Sequence, residues 1–90
     1  MKLIVAIVQD QDASKAVDEL IGQGFGATRI NTAGGFLKRG NSTILTGVED
    51  IRAHDVIQIL RDTCRHPATE GAPVSSGIVF VLPVAASYKM

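Results

Sequence analysis

The chain has 90 residues, nine Lys and Arg balance nine Asp and Glu, and hydrophobic types make up 46% of it. Zero formal charge excludes a broad attraction to nucleic acid or anionic membrane, and no apolar run approaches the ~18–20 residues of a membrane helix. The length allows one domain, residues 1–90, and a chain this short buries only about 60–65% of its unfolded surface, which leaves it marginal as a monomer.

Lys2–Gln9 is a β-branched apolar run and predicts a strand buried on both faces. It starts like a secretion signal, but Gln9-Asp10-Gln11-Asp12 follows at once with no small-residue cleavage site. Asp12 is placed to cap a helix whose apolar positions Ala13, Ala16, Val17, Leu20 and Ile21 recur at helical spacing, and Gly22 and Gly24 end it. Strands are expected over 27–32 and 42–48. Asp50 then caps a second helix with Ala53, Val56, Ile57, Leu60 and Cys64 as its buried stripe. Residues 66–77 carry Pro67, Gly71, Pro73 and Gly77 and read as an irregular loop. Residues 77–84 form the last strand. Pro83 has no amide proton for a ladder and belongs near a strand end or at an edge.

The order β-α-β-β-α-β predicts an α+β, ferredoxin-like domain with a four-stranded antiparallel sheet and two helices on one face. The other face should be polar if the domain stands alone. Yet Leu3, Val5 and Ile7 oppose Ile4, Ala6 and Val8 in the first strand, and Ile78, Phe80 and Leu82 oppose Val79 and Val81 in the last. A sheet apolar on both sides exposes more than soluble monomers tolerate, so copies of the chain should pack sheet to sheet. The loops and tail contain few large apolar residues that would cover the face instead.

The connection between the two middle strands, Asn31-Thr-Ala-Gly-Gly-Phe-Leu-Lys-Arg-Gly-Asn-Ser-Thr43, is far longer than a minimal hairpin needs. Its glycines bare backbone N–H groups that form a concave anion site, and Lys38 and Arg39 add field. The ring of Phe36 offers a face on which a nucleobase stacks. The pattern suits a phosphorylated, base-bearing ligand, although a solvated hairpin tip would have a similar composition.

Residues 1–12 and 32–43, with Leu45-Thr-Gly-Val48 and Val79-Phe-Val-Leu-Pro-Val84, closely resemble the PII-like cyclic-di-AMP receptor family. The resemblance implies a signal-transduction protein, a homotrimer with three ligand sites between subunits; a non-enzymatic, cytoplasmic protein is the expectation, the location resting on the lone Cys64. It implies cyclic di-AMP as ligand, no cofactor or metal, and an unknown downstream protein as the reader of the signal. Matched position by position, it assigns ligand contacts to Thr28, Gly35, Phe36, Leu37, Asn41, Gly47 and Phe80. Phe36 and Leu37 would wall an adenine, amides near Gly35 would hold phosphate oxygens, and the Asn41 amide offers both donor and acceptor. Each position also has a plainer role: Phe80 as core, Thr28 as an ordinary strand residue, Gly47 as a bulge, Asn41 as a turn residue.

The chain also departs from that family. Gly26 stands where the ligand-binding members carry arginine, Gly24 where they carry asparagine, and Lys89 where they carry glutamine. Arg29 is three residues on from Gly26, so alternation points it to the opposite face. The segment between Cys64 and Gly77 is short where the family has a long loop. A different anion or nucleotide, or a structural trimer without ligand, is the alternative.

Other chemistries find little support. An acylphosphatase shares this architecture but needs an arginine and free amides after the first strand, where this chain places Asp10 and Asp12. A copper carrier would need a Cys-x-x-Cys pair, and Cys64 is alone, which also fits a reduced compartment. His54 and His66 fall on different elements and suggest no metal pair. Cys64 reads as an inert core thiol, and Arg61, Arg65 and His66 as partners of a helix C-terminus.

Overall fold

The computed structural model describes residues 1–30, 40–64 and 77–90. The elements are β1 (Lys2–Gln9), α1 (Asp10–Gly22), β2 (Thr28–Ile30), β3 (Asn41–Val48), a single 3-10 turn (Asp50–Arg52), α2 (Ala53–Thr63) and β4 (Gly77–Pro83). They form one sheet in the order β2-β3-β1-β4, with every neighbouring pair antiparallel. This is the expected ferredoxin-like arrangement. β2 is shorter than expected, and residues 31 and 32 of the expected strand lie outside the described residues. Pro83 ends β4, and β4 is an edge strand, so the missing amide proton costs no ladder bond.

One face of the sheet holds the core. Ile4, Ala6 and Val8 of β1 and Ser42, Ile44, Thr46 and Val48 of β3 are buried at every second position, as the two-residue period of a strand requires. They meet Ala13, Ala16 and Leu20 of α1 and Val56 and Leu60 of α2, with Phe25 and Cys64 closing the cluster. The α2 stripe is as expected, with Ala53 and Ile57 at its margin. The α1 stripe is narrower: Val17 is only partly buried and Ile21 is 56% exposed, because the helix tilts its Ala13–Ala16–Leu20 side toward the sheet.

Neither aspartate caps as expected. α1 begins at Asp10 after an extended Gln9, so Asp12 falls inside the first turn and is itself buried. Both carboxylates still lie where the helix dipole favours negative charge. Asp50 opens the 3-10 turn rather than capping α2, and its carboxylate pairs with the α-ammonium of Met1 at 2.7 Å. That hydrogen bond is the main reason the Asp50 pKa lies below the usual carboxylate range.

α1 ends in a Schellman motif. Phe25 N–H donates to the Leu20 carbonyl at 2.9 Å and Gly24 N–H to that of Ile21 at 3.0 Å, with Gly24 at φ +89°. The motif turns Phe25 inward onto the core beside Leu20.

Candidate functional site

The sheet face away from the helices is where the expected ligand residues gather. Thr28 pairs with Leu45, Leu45 with Val5, and Val5 with Phe80, so these four form one row straight across the sheet. Asn41 and Gly47 share that face at the two ends of β3, opposite Gln9 and Leu3. All four described candidates, Thr28, Asn41, Gly47 and Phe80, therefore point to one side. Gly35, Phe36 and Leu37 lie outside the described residues, as do Lys38, Arg39, Arg65 and His66.

The four share a face but do not converge. At ~3.4 Å per residue, Asn41 and Gly47 stand about 20 Å apart along β3, and at ~4.8 Å per strand, Thr28 and Phe80 stand about 14 Å apart. One protomer thus presents a surface rather than an enclosed pocket.

Three of the plainer readings change. Phe80 is not core within the chain, being 50% exposed, because its register opposite Val5 turns it to the sheet face away from both helices. Gly47 is not a bulge, since its ladder with β1 runs without a break. Asn41 is the first residue of β3 rather than a turn residue.

The glycines separate into two kinds. Gly77 has φ +146°, and a Cβ there would lie 2.5 Å from the Ile7 carbonyl oxygen, so the start of β4 requires glycine. Gly47 has no such reason, because a Cβ there would meet nothing within 4 Å. Near the end of β3 and on the open face, Gly47 leaves room for close approach from outside the chain. Gly24 fills a left-handed position, which glycine and asparagine both tolerate.

On the helix side, the root of the glycine-rich segment is tied down. The buried Ser42 hydroxyl donates to the Asp10 carboxylate and accepts from Arg29 Nε at 3.2 Å and Nη2 at 3.1 Å. Arg29 Nη1 donates to Ser14 Oγ at 3.0 Å, and Asp10 N–H donates to the Gly40 carbonyl at 2.7 Å. Arg29 thus faces away from Thr28, as alternation predicted. β2 and β3 are held to the start of α1 where the segment leaves the one and enters the other. This clamp escaped the sequence reading, although Ser42 at a core-facing position was a signal, because a buried hydroxyl requires a partner.

Gly24, Phe25, Gly26, Gly47, Glu49 and Arg52 border a recess of about 210 Å³. The Arg52 guanidinium lies over the Phe25 ring, 4.2 Å from its centroid. A second recess, about 340 Å³, lies between α2 and β4 and has Leu60, Arg61, Cys64 and Val79 in its lining. Burial in the core raises the Cys64 thiol's pKa, with the Asp12 charge adding to the shift, which agrees with an inert core thiol.

Among the described residues no group of three His, Cys, Asp or Glu is placed to hold a metal ion. No described helix is long and apolar enough to cross a membrane.

The chain is similar over 99% of its length to a structurally solved, functionally unknown protein from Pediococcus pentosaceus ATCC 25745. The two share 36% identity with a TM-score of 0.79, and the match covers 96% of that protein. The family model for cyclic-di-AMP receptors matches residues 1–77, which include the clamp, the recess beside Gly47 and all the candidate positions except Phe80. The chain belongs to the cyclic-di-AMP receptor family.

Proposed function

We propose that this protein is a non-enzymatic cytoplasmic sensor that assembles as a trimer and binds cyclic di-AMP in the clefts between its subunits. The observation that carries this reading is the open sheet face. Its residues Leu3, Val5, Ile7, Ile30 and Leu45 are only half-buried, and Ile78, Phe80 and Leu82 are about half exposed. Burying such a side chain from full exposure is worth about 1.5–3 kcal/mol, so completing the burial of a half-buried one contributes about half of that, and covering the whole patch with a second copy is a strong drive to associate. The ligand candidates lie on the same face, too far apart for one protomer to enclose a ligand, and Gly47 leaves room for a close approach. Binding between copies brings such separated residues together. Ligand then shifts the population of subunit arrangements that a downstream protein recognises.

Calorimetric titration with cyclic di-AMP, cyclic di-GMP, ATP and ADP tests the reading, alongside light scattering for the assembly. Saturable binding of cyclic di-AMP in preference to the others, by a particle of three subunits, is the expected result. Flat traces for all four would leave a structural assembly or a sensor of another anion. A solitary, well-folded chain would remove the clefts altogether.

A further inference from the structure

Positive charge favours a phosphodiester at its site, and the four described candidates on the open face, Thr28, Asn41, Gly47 and Phe80, carry none. Six of the described residues are cations: Lys2, Lys15, Arg29, Arg52, Arg61 and Lys89. Arg29 is engaged by Ser42, Ser14 and Asp10 on the helix side. Lys2 shares the helix-side alternation of Ile4 and pairs across from the buried Val48. Lys15 lies on α1, Lys89 in the tail, and Arg61 beside the separate recess at β4. Arg52 alone among them borders the recess that Gly47 opens onto.

We propose that Arg52 is the anion-recognising, specificity-determining residue of the ligand cleft, its guanidinium receiving a phosphodiester of the cyclic dinucleotide beside Gly47. The inference rests on the cyclic-di-AMP reading above. The cation–π contact with Phe25, 4.2 Å from guanidinium carbon to ring centroid, restrains the side chain before it binds, so less rotamer freedom is lost on binding. Phe25 is itself held by the Schellman turn at Gly24 and buried against the core, which makes the platform rigid. The ion pair with Asp55 is long, 3.9 Å from Nε to Oδ2, and the Arg52 side chain remains 48% exposed. Gly24, Gly26 and Gly47 put only backbone on the recess wall, and a Cβ at any of them would meet nothing within 4 Å, so a bulky group has room to approach. Glu49 on the same rim opposes a bare multivalent anion and suits a singly charged phosphodiester whose base brings an amino donor.

The test is calorimetric titration of the assembled protein with cyclic di-AMP over a range of salt concentrations, using wild type, Arg52→Met, Arg52→Lys and, as a matched control, Arg61→Met. Circular dichroism at the titration temperature verifies that each variant is folded. Arg52→Met is expected to weaken binding about ten- to a hundredfold, the worth of one charge-assisted hydrogen bond, and to flatten the salt dependence. Arg52→Lys should keep the salt dependence but regain only part of the affinity, because an ammonium lacks the planar fork. Arg61→Met should match wild type. A folded Arg52→Met that binds within about twofold of wild type, well below one charged hydrogen bond, and with the same salt dependence, overturns this inference and leaves the cyclic-di-AMP reading standing. Wild type that binds no cyclic di-AMP overturns that reading, and the role of Arg52 falls with it.

Discussion

The two faces of this sheet follow the same alternation and end in opposite states. On the helix side, β1 and β3 bury every second residue, and even the polar Ser42 is fully satisfied by Asp10 and Arg29. On the other side the residues are about as apolar, yet nothing among the described residues packs over them, and β4 is exposed along its whole length. The hydrophobic effect does not distinguish a helix from a second copy of the chain as the cover. An apolar face that its own helices leave bare stays open to another cover, while Ser42 inside the covered face works as a fastener. The glycines divide the same way, since Gly77 answers to a contact inside the chain and Gly47 to none.

Neighbouring residues of β3 separate the two faces by the largest margin. Ile44 is 1% exposed and faces the helices, whereas Leu45 beside it faces the open side. Ile44→Asp places an unpaired carboxylate in the core and should cost more than about 4 kcal/mol, enough to abolish cooperative unfolding of a domain this small. Leu45→Asp should retain the helical circular dichroism at low temperature while sedimentation shows a fall in mass. Equal unfolding by both would mean that the two faces are not distinct in kind.

A smaller effect separates the two glycines. Gly77→Ala forces a Cβ against the Ile7 carbonyl and should cost about 1–3 kcal/mol in urea unfolding, read as a lower midpoint at constant slope. Gly47→Ala should leave the stability of the chain within about 1 kcal/mol of wild type, or raise it, by restricting the unfolded state. Its penalty should appear only in ligand binding or assembly. A Gly47→Ala protein that binds and assembles normally would show that this glycine has no role on the open face.

The smallest effect comes from Cys64. Its pKa is raised by burial, so the folded state holds the thiol proton more tightly than the unfolded chain. Stability from this group is complete below the ordinary thiol range, declines as pH rises through it, and is lost once the buried thiol ionises. Unfolding midpoints should therefore fall gently with alkaline pH, and Cys64→Ser should remove that slope. Alkylation of the native protein should be slow at neutral pH.

Much of this protein was legible in the chain. The alternation in Lys2–Gln9 and the helical spacing through Val56, Leu60 and Cys64 specify element type, because a strand repeats every two residues and a helix every 3.6. The same alternation was enough to show that both sides of the sheet are apolar and to turn Arg29 away from Thr28. The aspartate caps were misplaced, since a helix start depends on which backbone amides its neighbours satisfy: Asp10 is drawn to Gly40 and Ser42, and Asp50 to the chain's own ammonium. Phe80 escaped its plain reading as core for a related reason, that hydropathy states what a side chain would gain from cover but not which element reaches it.

The chain by itself thus determined the element order, the family and the composition of each face, all of which follow from local periodicity and motif. Only the tertiary structure decided which face the helices cover, that Ser42 and Arg29 fasten the root of the glycine-rich segment, and that Arg52 stands beside Gly47. Those facts depend on strand register and on the turn at Gly24, which bring together residues far apart in sequence through contacts that no local pattern encodes.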